Sequence, residues 1–287
     1  MAEVYVASAF SKDYSGGNKA GVVIRDYHLT AASKTALAAE LGYSETAFLG
    51  RSETADFKLE YFTPTEEVPM CGHATIGTFT VLNHLGMLDK PHYTIETRSG
   101  ILNITIRDDG MIIMEQNRPA FYDILDRSVL KNCFDTRCIS EKLPVQIVST
   151  GLKDILIPVD SPEHLRELSP DFAAISDLSR DKGVVGMHAF SLVNDGTVTA
   201  VCRNFAPLYG IDEESATGTS NCALACCLFR NGQRQQQYVF EQGHNLNNIS
   251  RIMVTVDSQG DTITKVFAGG YGYLDERKTL STSPERT

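Results

Sequence analysis

What this chain of 287 residues lacks narrows the field before any motif is read. No apolar run reaches the roughly 20 residues that cross a bilayer, and Met1-Ala2-Glu3-Val4-Tyr5-Val6 enters a strand pattern without the basic and apolar regions of a leader. A cytoplasmic location with no membrane partner is therefore expected. Basic residues are in deficit. The 26 Lys and Arg stand against 36 Asp and Glu, a formal charge of −10, so a face that neutralises nucleic-acid phosphates is not expected. A disulfide framework is also missing: the seven cysteines are odd in number, and Cys222, Cys226 and Cys227 fall on one predicted helix, which suits a reducing compartment. No glycine pattern of the dinucleotide or P-loop kind occurs. Cys71-Gly72-His73 offers two metal donors, but no second group at zinc-like spacing accompanies it. Neither a metal nor any other cofactor is expected.

What is present reads as an ordinary soluble globular chain, 42% hydrophobic and 22% charged, long enough for one large core or two medium ones. A repeat favours two. Pro69 stops the segment before it, Gly72 lets the backbone turn, and His73 to Leu85 reads as a helix closed by Gly86. Displaced by 146 positions, Cys71-Gly72-His73-Ala74-Thr75 falls on Thr217-Gly218-Thr219-Ser220-Asn221, and Gly86 falls on Gly232. Phe62-Thr63-Pro64 precedes the first helix as Phe205-Ala206-Pro207 precedes the second. Both helices are largely small or apolar, and both begin in turns rich in reactive side chains. Helix N-termini of this kind supply local positive potential to an anionic small molecule whatever the net charge.

The remaining pattern is mostly strand. Val4 to Phe10 alternates, and the turn-rich loop Lys12 to Asn18, which either lines a site or closes a hairpin, leads to a second run at Gly21 to Ile24. Thr30 caps a helix that runs to about Leu41 and ends at Gly42. Tyr43 to Leu49 reads as a strand start with the Glu45 carboxylate just ahead of its apolar run, and strands are expected over Phe57 to Phe62, His92 to Thr97, Ile101 to Arg107 and Met111 to Gln116, the last pair joined by Asp108-Asp109-Gly110. Arg118-Pro119 reads as the joint between a first half, 1–117, and a second, 118–287, whose last strand is free to pack back on the first. A helical stretch is expected over Tyr122 to Cys133, strands over Val145 to Ser149 and Ile155 to Val159, and a short helix from Ser161-Pro162-Glu163. Strands at Ala189 to Val193 and Thr197 to Arg203, a long loop over Ala206 to Thr219, and strands at Arg251 to Val256 and Thr262 to Phe267 complete the second half. The run Ala268-Gly269-Gly270-Tyr271-Gly272 reads as a bulge, or as a place where backbone approaches a ligand closely, and the polar tail beyond Asp275 as frayed.

Ser44-Glu45-Thr46-Ala47-Phe48, Pro69-Met70-Cys71-Gly72-His73-Ala74-Thr75 and Glu214-Ser215-Ala216-Thr217-Gly218-Thr219 together carry a resemblance. In order and separation they resemble the phenazine-biosynthesis PhzF-like isomerase family, over about Val4 to Leu274. The resemblance implies an α+β, diaminopimelate-epimerase-like fold: two pseudo-symmetric β-roll halves, each wrapped round a central helix and facing one another across a cleft. It implies a cofactor-independent isomerase with Glu45 as general acid/base and His73 binding or protonating the substrate. Glu214 and Thr219 stand where the family often has an aspartate and a serine, and keep those functional groups. Gly72 and Gly218 match the glycines at the helix starts; with Asn18 and Cys71 they complete the candidate substrate-binding set. The partners implied are a small anionic metabolite and a second copy of the chain.

Related enzymes of this fold racemise or epimerise with two facing thiols, one at each central helix start. Cys71 occupies the first position and Thr217 the second; a hydroxyl is too weak an acid to trade roles with a thiolate, and Cys222, one turn into the helix, reads as packing. Two readings stay beside the isomerase: an amino-acid racemase or epimerase using Cys71, and a non-catalytic binding protein on the same scaffold.

Overall fold

A computed structural model describes residues 2–25, 29–193 and 195–280. The chain forms two compact units: the first reaches Met114 and takes in the chain again from Gly270, and the second is Glu115–Gly269.

In the first unit, β1 (Ala2–Ser11) and β2 (Asn18–Val23) are followed by α1 (Ala31–Leu41), β3 (Thr46–Gly50), β4 (Phe57–Phe62), β5 (Glu67–Val68) and α2 (Gly72–His84). Then come β6 (His92–Thr97), β7 (Gly100–Ile106) and β8 (Ile112–Gln116). Local chemistry explains the helix ends. The Thr30 side chain accepts from the backbone N–H of Ser33, and Gly42 closes α1 in the left-handed region that a side chain would disfavour. α2 is buried from His73 to Leu82, so its three inward threonines need internal partners. Thr75, Thr78 and Thr80 find them one turn back, donating to the carbonyls of Cys71, Ala74 and Ile76. The helix can therefore be wrapped by sheet, and at Gly77 it lies beside Ala7 and Ala20 of the first two strands.

The second unit contains β9 (Ala120–Leu125), β10 (Val145–Ser149), β11 (Lys153–Pro158), α3 (Pro162–Glu167), α4 (Phe172–Lys182), β12 (Gly186–Leu192) and β13 (Ala200–Ala206). It goes on through β14 (Ile211–Glu214), the buried α5 (Gly218–Arg230), β15 (Gln237–Gln242), β16 (Ser250–Gln259) and β17 (Thr262–Leu280), whose last residues belong to the first unit.

The pairing repeats. In the first unit β1 runs antiparallel to β2, β2 parallel to β3, β3 antiparallel to β4, β4 parallel to β6, and β6 antiparallel to β7. In the second, β10 to β16 repeat that series: antiparallel, parallel, antiparallel, parallel, antiparallel, with β13 skipping β14 to reach β15 as β4 skips β5 to reach β6. Each central helix follows the short skipped strand. This is the expected architecture of two β-rolls each round one helix. A second apolar layer lies on the outside of the second unit, where Leu165, Leu168 and Ile175 pack with Ile155, Ile157 and Phe205.

Several local expectations fail. Ala120–Leu125 is a strand on β10 rather than a helix, and only Arg127–Leu130 makes a 3-10 turn, with the Asp126 side chain capping Ser128. Its partner is the strand Val145 to Ser149, some twenty residues on, and no local pattern announces that pairing. The loop over Ala206 to Thr219 contains β14. The tail is not frayed as far as Leu280, since Glu276 to Leu280 pair with β1; residues 281–287 lie outside the described residues.

The glycine run near the end forms the predicted bulge. Pairing with β1 slips between Ser8, opposite Tyr273, and Ser11, opposite Tyr271. At Gly272 the close approach is to protein: a Cβ would sit 2.1 Å from Thr80 Oγ1 and 3.0 Å from the Ser8 carbonyl. Gly272→Ala is therefore expected to push β17 off α2 and to cost about 1–3 kcal/mol, read as a lowered urea midpoint. An unchanged midpoint would show that the approach is not needed.

Candidate active site

Glu45 sits immediately before β3, where its carbonyl accepts from the Gly21 N–H in the neighbouring strand. That pair of strands must come close, because a Cβ on Gly21 would meet Thr46 and Leu41 side chains at 2.8–2.9 Å. The parallel register, Gly21 opposite Thr46, puts Asn18 and Glu45 at the same end of the pair. Asn18 itself is buried and pairs with Ala9.

Cys71 is the N-cap of α2, extended, and makes no side-chain cap; His73 follows in the first turn. Tyr61 reaches from β4 to Thr75, with 2.6 Å between the hydroxyls, and ties this turn to the sheet. Four predicted residues thus meet at one place. Glu45 Oε2 lies 3.2 Å from His73 Nε2, and Cys71 Sγ lies 3.4 Å from Nδ1 and 3.9 Å from Nε2 of the same ring. Gly72 joins them, its α-carbon face against the Met114 methyl. Ser44 Oγ approaches Nε2 at 3.4 Å, a neighbour whose only signal in the sequence was its place beside Glu45.

The electrostatics follow from burial. His73 is 5% exposed, and burial lowers its pKa from the ordinary value of 6.5 while the Glu45 charge opposes the shift. A neutral imidazole results at neutral pH, able to donate from one nitrogen. The Glu45 side chain is 14% exposed, and Oε2 is buried without a hydrogen-bond partner, since the contact to His73 is close but off the N–H line. A carboxylate held this way is an acceptor whose geometry is not committed elsewhere. The fold also adds a third donor to the Cys71-His73 pair: one ligand atom each from Glu45, Cys71 and His73 lie within 4.8 Å of one another.

In the second unit Glu214 ends β14, and the Thr217 hydroxyl donates to its Oε2 at 2.5 Å. Gln242, on β15, donates to the Glu214 carbonyl at 2.7 Å and to Thr217 Oγ1 at 3.1 Å, and accepts from Asn221 at 2.9 Å. Gln242 carries no local sequence signal; only strand pairing brings it beneath the start of α5. Gly218 begins that helix, and the Thr219 carbonyl accepts from the Thr150 hydroxyl. Thr217 occupies the topological place of Cys71 and hydrogen-bonds a carboxylate. Cys222 is fully buried, and burial pushes its thiol well above the usual range, which makes it a packing residue. The seven cysteines are all free thiols.

Behind this cluster runs a fully buried polar chain. Asp154 accepts from Ser220 Oγ at 2.6 Å and from the Gly186 N–H, and Asn204 Nδ2 donates both to Ser220 Oγ and to His188 Nδ1 at 3.2 Å. Because Nδ1 accepts, the His188 proton sits on Nε2. That nitrogen is directed at Asn221 in a contact that misses ideal hydrogen-bond geometry. The series thus runs from Asp154 through Ser220, Asn204 and His188 to Asn221, and on through Gln242 to Glu214.

Comparison with known proteins agrees with this arrangement. Residues 7–274 match the family model described as phenazine biosynthesis-like protein, PhzC-PhzF. The chain is 30% identical to the uncharacterized isomerase YfhB of Bacillus subtilis, with 96% of this chain and 98% of that protein covered. To the uncharacterized isomerase YddE of Escherichia coli K12 it is 32% identical, with 91% and 93% covered. The crystal structure of a Bacillus anthracis phenazine biosynthesis protein of the PhzF family superposes with a TM-score of 0.89 at 25% identity, covering 98% of this chain and 99% of that one. No helix among the described residues is long and apolar enough to cross a membrane. With its repeated β-rolls, its Glu45–His73 contact and a family match over nearly its whole length, the chain belongs to the phenazine biosynthesis-like PhzC-PhzF family and has the diaminopimelate-epimerase-like fold.

Proposed function

We propose that this protein is an isomerase that moves a proton within a small carboxylated metabolite, with Glu45 as general acid/base and no organic cofactor. The observation that carries the reading is the buried, uncommitted Oε2 of Glu45, 3.2 Å from a neutral His73 at the start of a buried helix. Glu45 takes a proton from carbon as a carboxylate and returns it, as a carboxylic acid, to another carbon of the same molecule. The double bond shifts between them, and charge and atoms balance without a co-reactant. His73 donates to the substrate oxygen on which charge develops, and backbone N–H groups of the first turn of α2 face its carboxylate. Glu214, whose Oε2 accepts from Thr217 and whose backbone carbonyl accepts from Gln242, is the carboxylate just before the start of α5 in the second unit. The names of the relatives, uncharacterized isomerases, support the same class.

A thiol reading is favoured by one observation, the 3.4 Å approach of Cys71 Sγ to His73 Nδ1. It would make Cys71 the proton carrier in a racemase or epimerase. Incubation of the protein with a panel of small unsaturated and amino carboxylic acids in deuterated water separates the two. The isomerase is expected to return an isomer with its double bond moved, differing from the starting acid in composition only by the deuterium that reaches the new C–H after the Glu45 carboxylic acid exchanges with solvent. Deuterium confined to the α-carbon of an amino acid, with both enantiomers formed, would replace this reading with the thiol one.

A further inference from the structure

We propose that a thiophilic divalent cation of the zinc type binds Glu45, Cys71 and His73 together and reversibly blocks the site. The binding stands on geometry; the block rests on the isomerase reading above.

One oxygen, one sulfur and one nitrogen converge here, a donor set suited to zinc or cobalt and unsuited to magnesium or calcium, which take oxygen. With metal bonds of about 2.3 Å to sulfur and about 2.0–2.2 Å to nitrogen and oxygen, a tetrahedral site needs its ligand atoms roughly 3.3–3.7 Å apart. His73 Nε2 stands 3.2 Å from Glu45 Oε2 and 3.9 Å from Cys71 Sγ, and the three donors lie within 4.8 Å of one another. Closing the set requires movements on the order of 1 Å, within reach of Glu and Cys side-chain rotation. The charges also balance. A carboxylate and a thiolate cancel the two positive charges of the cation, which matters where Cys71 is 7% and His73 5% exposed. Binding releases the Cys71 thiol proton to solvent, and His73 enters neutral with a lone pair available. Three protein ligands leave a fourth position for water or a carboxylate. Among the described residues this is the one group of His, Cys, Asp and Glu side chains placed closely enough for a metal ion. With the cation bound, the Glu45 oxygen is committed to a metal and can no longer take a proton from carbon.

The test is a titration of Co²⁺ into the purified full chain, followed by optical absorption. One equivalent is expected to bind, with a near-ultraviolet thiolate charge-transfer band and the visible bands of tetrahedral cobalt, all displaced by Zn²⁺. Cys71→Ser removes the thiolate band. Cys138→Ser, which alters the most exposed cysteine, keeps it. Glu45→Gln weakens Co²⁺ at least about tenfold, and the circular dichroism of each variant checks that it is folded. A thiolate band that survives Cys71→Ser, or no band at all, overturns the site and leaves the role of Glu45 to the deuterium experiment. On a confirmed substrate, Zn²⁺ is expected to arrest turnover and a chelator to restore it. Cation bound through Cys71 with turnover unimpaired overturns the block and counts against Glu45 as the proton carrier.

Discussion

Glu45→Gln is expected to lower turnover by about 10²- to 10⁴-fold while leaving the fold and ligand binding nearly intact. The amide is close to isosteric with the carboxylate, so the backbone bond from Gly21 to the residue 45 carbonyl and the packing before β3 are unaffected. What disappears is the acceptor. Oε2 has no hydrogen bond to lose, so the change does not orphan a buried partner, and the loss falls on the chemical step. Cys71→Ser is expected to be much milder. The hydroxyl fills most of the space of the thiol at the helix cap, and a glutamate mechanism asks no proton of it. The thiol reading ranks the two variants in the opposite order. Steady-state kinetics of both proteins on one substrate decide it, and a Cys71→Ser protein deader than Glu45→Gln would overturn Glu45 as proton carrier.

The buried chain of the second unit is expected to show itself in the pH dependence of stability, with Asp154→Asn and His188→Gln tilting it in opposite directions. Burial pushes the Asp154 carboxyl up to about 6 from its ordinary 3.8, against the opposing hydrogen bonds from Ser220 and Gly186. A raised folded value means that its contribution is fully present below about pH 4 and is lost as the pH rises through about 6. Burial pulls His188 down to about 3 from 6.5, with Asn221 opposing. A depressed histidine is the reverse case, its contribution present above about pH 6.5 and lost as the pH falls towards about 3. A tenfold change in proton affinity between the folded and unfolded chains corresponds to about 1.4 kcal/mol, so each group is a matter of a few kcal/mol. In the parent the two slopes oppose one another between about pH 4 and 6. Asp154→Asn removes the loss on going up, so the variant gains on the parent from about pH 4 to about pH 7 and falls more steeply in acid. His188→Gln removes the loss on going down and gains on the parent in acid. Urea midpoints of the three proteins across that range are the measurement. Parallel profiles would mean that neither group changes its protonation on unfolding. Asn221, beside this chain, bonds Gln242, which in turn holds the Glu214 backbone carbonyl.

Much of this was legible in the residues, because helix ends and tight turns are settled by chemistry within a few positions. Thr30 and Gly42 bound α1 as expected, and the glycines at positions 72, 86, 218 and 232 mark both central helices and the repeat between them. α4 had equally local signals, Asp171 at its start and Gly183 at its end, yet no helix was expected there. Glu45 and His73 were named from motifs. Their meeting was not visible: a carboxylate before one strand and an imidazole on a helix come within 3.2 Å only because β3 pairs beside β2 and α2 packs against both. The same holds for Ala120–Leu125, whose strand state depends on β10, and for the final strand, held to Leu280 by β1 at the other end of the chain. Gln242 and Asp154 are the extreme cases. Nothing near either residue marks it, and each acquires its role from partners that strand pairing delivers. Caps, turns and the order of the motifs are properties of short stretches, so the sequence by itself determined them. Which polar groups share a buried volume is decided by long-range pairing, because only there must buried donors find acceptors that the local chain does not supply.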